Sequence, residues 1–396
     1  MKKISIMMYS TLYGDSYKGR SLECIIPEIL KANFLGNVFG LRLNIFSKAL
    51  DKGKNIKTTV IPVVLNYFFR KIFTKEKNDY YPYLYGEKVF GYLAMKYLKK
   101  DNSDIILLKP RPLCLVKKAK EMGKYVIIEA SECHPRFTQK ICKEEKIKLD
   151  WKYDNIFTNE KAVSEFEESL KYADKIIVMS EYSKNTYLHN EIAESKLIKI
   201  NLGVDPTFIK EKRKYNSNKK MAYICVAQHT VLKGTHLLLK VWKQLELEDA
   251  YLILVGPIKA EIKSIIEKGQ VNNLICTGNL SKKNIKELFN QYNSIGVLLS
   301  FSEGYPRVIT EYLYSNIPVI TTEMGTCDFI ENRKNGFVVN HNLNEIKEII
   351  LKLYKNEELY NKYCNNDYYR GMKEYQEDMI SFIKGECEKD VENSNS

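Results

Sequence analysis

Residues 300–339 read SFSEGYPRVITEYLYSNIPVITTEMGTCDFIENRKNGFVV, and the turn near their start decides how the rest of the chain is read. Residues 296–300 (GVLLS) are a short apolar strand, Pro306 sits where a helix would begin, and residues 307–314 continue with apolar positions at helical spacing. Residues 302–305 are then a strand-to-helix turn. Such a turn aims free backbone amides and the positive end of the helix dipole beyond the strand's carboxyl end, which favours phosphate there. Gly304 lets the backbone approach closely. Glu303 lies on the turn and Glu311 about one and a half turns into the helix. A carboxylate beside a phosphate site is a poor electrostatic choice unless hydroxyl groups donate to it, as those of a sugar or ribose do. Two acids at this spacing are, by themselves, as readily a pair of solvated side chains.

The bulk of the chain sets limits on the rest. At 396 residues two or three domains are expected, and 44% hydrophobic residues are ample for their cores. No apolar run reaches the length of about eighteen residues that a spanning helix needs, and the start MKKISIMMYSTLYG lacks the features of a signal peptide. Nine cysteines without a C-x-x-C pair suggest reduced, packed thiols in a cytosol, and a zinc site has little support. The net charge of +13 is uneven: residues 1–200 hold 36 Lys/Arg against 24 Asp/Glu, whereas residues 201–396 hold 26 against 25. A basic half suits an anionic substrate, anionic lipid or nucleic acid, and equally a solvated lysine surface. Nucleic acid is not expected, because no nucleic-acid motif or dense arginine cluster occurs.

Taken in order, the first half alternates short apolar strands with helices, which implies a buried parallel sheet. Strands are expected at residues 4–9, 104–108, 125–129, 175–179 and 197–200, with helices from about Ser21 and over 89–99 and 163–172. The loop carrying Gly14 and Gly19 follows the first strand. Residues 59–77 (TVIPVVLNYFFRKIFTKEK) combine an apolar run, two phenylalanines and a basic tail, and residues 79–86 add four tyrosines. This mixture suits an element lying on an anionic membrane, or a core strand followed by a solvated helix end. Ser180 opens a helix straight after a strand. Residues 203–220, charged and poor in apolar groups, read as a linker. A second series follows: strands at 222–227, 251–255 and 274–277, helices at 235–245, 261–268 and 284–292, then the opening stretch. A tail from Leu343 to Glu388 is helical in pattern, and residues 390–396 should be disordered.

The pattern E-G-Y-P-x-x-x-x-E over residues 303–311, then P-V-I-T-T over 318–322 and D-x-I-x-x-x-x-N-G-F-V-V over 328–339, resembles the donor-site signature of the retaining glycosyltransferases of family 4. That resemblance implies the GT-B fold, an α/β architecture of two Rossmann-like domains facing across a cleft. It implies an acceptor-side domain over 1–202, completed by a helix over 368–389, and a donor domain over 203–367. Glu303 would contact the donor sugar and Glu311 the ribose. Residues 231–234 (VLKG) match the lysine-glycine of the family's diphosphate site, so Lys233, with the turn amides at Gly304 and Tyr305, would stabilise the departing diphosphate. Pro306 and Arg307 complete the turn. Gly278, Asn279 and Leu280 fall where the family binds the base. His134 is a candidate for the family's cleft histidine, with packing on its own loop as the alternative, and Gly14 and Gly19 belong to the cleft loop of the first domain.

Two positions depart from the pattern. Gln228 stands where the family usually has an arginine, with Arg307 as the available electrostatic substitute, and Asp328 replaces a glutamate. No D-x-D triplet occurs, so metal-independent chemistry is expected, with no cofactor and a UDP-sugar rather than a GDP-sugar as donor substrate. The expected acceptor is a glycan, a lipid-linked sugar or a protein, in cell-surface polysaccharide or glycoconjugate synthesis on the cytoplasmic face of a membrane. The competing class is a non-catalytic partner subunit of the same fold, which Gln228 favours and the intact Glu303, Glu311, Gly304 and Lys233 oppose.

Overall fold

The computed structural model describes residues 2–11, 23–41, 56–73, 80–148, 157–208, 210–364 and 366–388. Gly14, Gly19 and residues 390–396 lie outside them.

In the first half, β1 (Ile4–Thr11), α1 (Ile26–Lys31), β2 (Leu35–Leu41), β3 (Ile56–Thr59), α2 (Ile61–Phe73), α3 (Tyr80–Leu98), β4 (Ile105–Leu108), α4 (Leu113–Glu121), β5 (Tyr125–Glu129), α5 (Pro135–Lys148), α6 (Glu160–Lys171), β6 (Lys175–Val178), α7 (Glu181–Leu188) and β7 (Leu197–Lys199) follow one another. Their strands form a parallel sheet in the order β3-β2-β1-β4-β5-β6-β7. The central strands are apolar along their whole length because both faces are covered: Ile105 and Leu107 enter one core, Ile106 and Leu108 the other.

The second half runs β8 (Met221–Val226), α8 (Thr235–Leu245), β9 (Ala250–Val255), α9 (Ala260–Gly269), β10 (Leu274–Gly278), α10 (Lys282–Gln291), β11 (Asn293–Leu298), α11 (Arg307–Tyr314), β12 (Val319–Thr321), β13 (Phe337–Val338), α12 (Leu343–Leu353), α13 (Glu357–Cys364) and α14 (Met372–Glu388). Its sheet is again parallel, in the order β10-β9-β8-β11-β12-β13. Chain order reverses at β8, which lies between β9 and β11. The loops leaving β8 and β11 therefore part in opposite directions and open a crevice at the strands' carboxyl ends, the usual ligand position in such sheets. Lys233 sits on the first of these loops and Glu303 on the second.

The last helix, α14, returns to the first half. Gln376 Nε2 donates to Cys24 O at 2.7 Å, Met372 Sδ lies 3.6 Å from Cys24 Sγ, and Arg370 donates to Asn201 O at 2.6 and 2.8 Å.

Three features differ from the sequence reading. Strands β2 (LGNVFGL) and β3 (IKTT) occupy one edge of the first sheet, where partial exposure tolerates the polar residues and glycines that disguise them. The apolar run after Thr59 is not a core strand. Thr59 Oγ1 accepts from Ile61 N at 3.3 Å and the chain turns directly into α2, whose first turn tolerates Pro62 where a sheet ladder would not. Strand β11 begins three residues earlier than its apolar core, at Asn293, because that side chain satisfies Asn216 N, Asn216 O and Lys219 O, so a polar residue is at no loss there.

Helix α11, which follows the turn, is hung on the strands beneath it by one side chain. Tyr312 is buried, and its hydroxyl donates to Ile224 O at 2.8 Å and accepts from Val226 N at 3.2 Å. Tyr312→Phe leaves Val226 N unpaired and takes one of its donors from Ile224 O, which is also in the β8–β11 ladder, and urea denaturation should register a loss of about 1–3 kcal/mol with an unchanged slope. An unmoved midpoint would mean that α11 does not depend on this hydroxyl.

Candidate active site between the two halves

Each residue of the 302–305 turn is fastened to the first half. Thr138 Oγ1 and Ser302 Oγ lie 2.8 Å apart, Cys133 Sγ donates to Glu303 O at 3.1 Å, Ser180 Oγ donates to Gly304 O at 2.7 Å, and Tyr305 OH donates to Leu202 O at 2.6 Å. Burial pushes the Cys133 thiol up to about 12, so it remains a donor. Ser180 does double duty: it also caps α7 by accepting from Ser183 N at 3.1 Å. Gly304 is required by contact, because a Cβ there would stand 2.0 Å from Ser131 O.

Lys233 reaches the turn from the β8 side. It ends a short 3-10 turn, and Gly234 follows with φ +67°, a backbone that starts α8 where an added Cβ would lie 1.9 Å from Leu299 O. Lys233 Nζ meets Glu303 Oε1 at 2.5 Å, and the same oxygen accepts from Ser300 Oγ at 2.7 Å. Glu303 is 8% exposed, and an ion in that position needs both partners. The second acid, Glu311, is 2% exposed on α11 and pairs with Lys282, the first residue of α10. Gly278 and Asn279 precede that helix, Gly278 with φ +68° and Asn279 exposed, while Leu280 packs on the core.

The remaining candidates are placed as follows. Gln228 is exposed just beyond β8, and Arg307 is exposed at the first position of α11, after Pro306, which caps the helix with φ −75°. Tyr305 is buried, its ring in the core and its hydroxyl on Leu202 O. His134 is 1% exposed and packs edge-on against Tyr187 at 5.2 Å, with Nδ1 accepting from Arg136 N at 3.3 Å. No hydrogen bond among the described residues joins its ring to Glu303 or Lys233; its neighbour Cys133 makes the contact with the turn. Asp328 fastens the halves together: it accepts from Glu181 N at 2.8 and 3.0 Å, Lys199 Nζ at 3.0 Å and Asn201 Nδ2 at 2.9 Å.

The sequence reading did not find Lys282, Ser300, Cys133 or Thr138. Lys282 left a trace. Ser281 caps α10 by accepting from Asn284 N at 3.1 Å, so the lysine sits at the positive end of a helix dipole, where a cation is unfavourable without an anion to meet. The other three depend on a contact between distant segments that no local pattern records.

Against known sequences, the family described as glycosyl transferases group 1 matches residues 207–370. The match falls on the second half of the chain. No curated protein matches the chain. Solved structures match it from end to end at low identity. Sucrose-phosphate synthase from Thermosynechococcus elongatus superposes with a TM-score of 0.67 at 14% identity, covering 99% of this chain and 100% of that one. A mutant of TarM from S. aureus in complex with fondaparinux, alpha-GlcNAc-glycerol and UDP gives 0.62 at 15% identity, over 96% and 97%. HepE from Anabaena in complex with UDP and glucose gives 0.62 at 13% identity, over 97% and 100%. The fold is therefore GT-B, with the second half supplying Lys233, Glu303, Glu311 and Lys282, and the first half clamping its turn.

Two buried histidines tie this arrangement to pH. Burial pushes both His134 and His229 down to about 4, and His229 Nδ1 lies 3.2 Å from Thr235 Oγ1. The unfolded chain thus binds more protons than the folded one between about pH 6.5 and 4, and stability is lost as pH falls through that window. Glu87, raised by burial to about 7, acts oppositely, since its stabilisation is lost as pH rises toward 7. Replacing His134 and His229 by Gln should flatten the acid limb of a melting-temperature profile while leaving the Glu87 contribution in place. An unchanged acid limb would contradict the burial of these two rings.

Proposed function

We propose that the protein is a retaining, metal-independent glycosyltransferase that moves a sugar from a nucleotide-diphosphate donor to a glycan, lipid-linked or protein acceptor. The observation that carries this is the pairing of Lys233 with Glu303 beside the amino end of α11. Each partner is preassigned to one half of a sugar-phosphate bond. A bound diphosphate draws the Lys233 ammonium to its oxygens, and Glu303, still held by Ser300, turns its freed lone pairs to the sugar hydroxyls. The acceptor hydroxyl attacks the anomeric carbon from the face the diphosphate leaves, the carbon–oxygen bond to phosphate breaks, and the hydroxyl proton passes to the departing phosphate oxygen. Lys233 and the amides of Gly304 and Tyr305 meet the charge that grows on that oxygen, so they act on the transition state more than on the bound substrate.

Glu311 accepts from the ribose, and Gly278, Asn279 and Leu280 face the base. UDP is favoured over GDP, since UDP is the nucleotide in both complexes named above. His134 enters as a neutral wall of the cleft, Gln228 and Arg307 as polar groups at its phosphate end, and Gly14 and Gly19 as acceptor-side loop. A role in cell-surface polysaccharide or glycoconjugate synthesis at the inner face of a membrane fits the basic first half. No described helix is long and apolar enough to cross a membrane. Helix α2 instead presents Ile61, Val64, Tyr67 and Phe68 on one face, each 49–64% exposed, next to Arg70 and Lys71 in sequence. That is the composition of an interfacial helix on anionic lipid.

Two measurements test this. Saturating UDP, as against GDP, should raise the melting temperature, and Glu311→Ala should abolish the rise. If neither nucleotide nor any nucleotide-sugar shifts it, the reading as a non-catalytic partner, which the exposed Gln228 favours, takes its place. In flotation with vesicles containing phosphatidylserine at low salt, the protein should bind, and Val64→Glu with Phe68→Glu should release it. Wild-type protein that ignores such vesicles removes the membrane from the account.

A further inference from the structure

Lys282 and Lys283 are neighbours in sequence and opposites in environment. Lys283 is 81% exposed and reaches Glu287 on its own helix at 3.9 Å, an ordinary surface pair. The Lys282 side chain is 35% exposed and turns inward, its ammonium on Glu311 Oε1 and 5.4 Å from the centre of the Phe208 ring. Among the described residues no other donor reaches the Glu311 carboxylate. The lysine occupies one oxygen from one side and leaves the lone pairs of Oε2 available. It also stands directly after the segment 278–281, as the first residue of α10.

A carboxylate buried as deeply as Glu311 is unstable as an ion without a cation, and a lysine at the first position of a helix opposes the dipole behind it. Each is disfavoured alone and accepted as a pair, which is more than a surface lysine needs. The result is a carboxylate with one oxygen held by Lys282 and the other without a donor among the described residues. Two hydroxyls on adjacent ring carbons match that geometry.

We propose that Lys282 is a positioning residue of the donor site: it holds Glu311 aligned so that the carboxylate accepts from both ribose hydroxyls of a nucleoside diphosphate. It thereby sets a preference for ribonucleotides over 2′-deoxyribonucleotides. This rests on the reading of Glu311 as the ribose acceptor given above. A merely structural lysine would, when removed, weaken both kinds of nucleotide equally, so the ratio of the two affinities is the informative quantity.

The experiment is calorimetric titration of the full chain with UDP and 2′-deoxy-UDP, or with the guanosine pair if GDP is the nucleotide that binds. The wild type should prefer the ribonucleotide by about tenfold or more, the scale of a hydrogen bond to a charged acceptor. Lys282→Met should bring the ratio down toward one, Lys282→Arg should retain most of it, and Lys283→Met should leave it unchanged. Lys282→Gln, neutral but still a donor, serves if the methionine variant does not fold, and should also lose most of the preference. A ratio undiminished in Lys282→Met or Lys282→Gln, or equal losses for both nucleotides, overturns the proposal while leaving the donor site standing. A wild type that binds no nucleoside diphosphate overturns the donor-site reading itself.

Discussion

The contact on which the site depends is the approach of Gly304 to the backbone of Ser131, close enough that no side chain fits between them. Around it, Ser302, Glu303, Gly304 and Tyr305 each bond to a different segment of the first half. Asp328, accepting from Glu181, Lys199 and Asn201, fixes the same two bodies a short way off. The turn to which we assign the donor chemistry is thus shaped by both sheets, although every charged group in it comes from the second. A chain with only the second half would keep Lys233, Glu303 and Glu311 but lose the contacts that hold the turn around them.

The electrostatics follow from burial. Two nearly buried acids, Glu303 and Glu311, each hold a lysine drawn from a different loop, Lys233 after β8 and Lys282 after β10. Pairs of this kind do little for stability, because taking both ions out of water offsets most of their attraction. In the proposed function their use lies in exchange: a ligand that brings phosphate for a lysine and hydroxyls for an acid replaces each partner with one of matching charge or polarity. The hollow near α14, whose lining includes Lys199, Asp378 and Glu386, contains none of these four residues.

Much of this was legible in the sequence because the strongest signals are local. The second series of strands and helices is read to within a few residues, since each strand is an apolar run bounded by turn formers, and α8 begins and ends at the expected residues. Glu303, Gly304, Lys233 and Glu311 stand out because turn, helix start and motif coincide. What escaped was long-range. Strands β2 and β3 are edge strands with weak patterns, the α2 run is too short for its period to separate strand from helix, and the bonds of Cys133, Thr138 and Ser180 to the turn join segments far apart in sequence. His134 reads from the sequence either as a histidine of the cleft or as a ring packed on its own loop, and its ring contacts are to Tyr187 and Arg136. Residue type alone does not tell a ligand from a packed ring.

The most direct test of the central claim, that the 302–305 turn and Lys233 form a donor site built from both halves, is hydrogen exchange of the intact protein with and without saturating UDP or GDP. The account predicts slower exchange confined to the backbone of residues 231–235, 278–282 and 302–311, with a smaller effect on residues 131–134, which touch the turn from the other side. Protection elsewhere, with these segments unchanged, would contradict it.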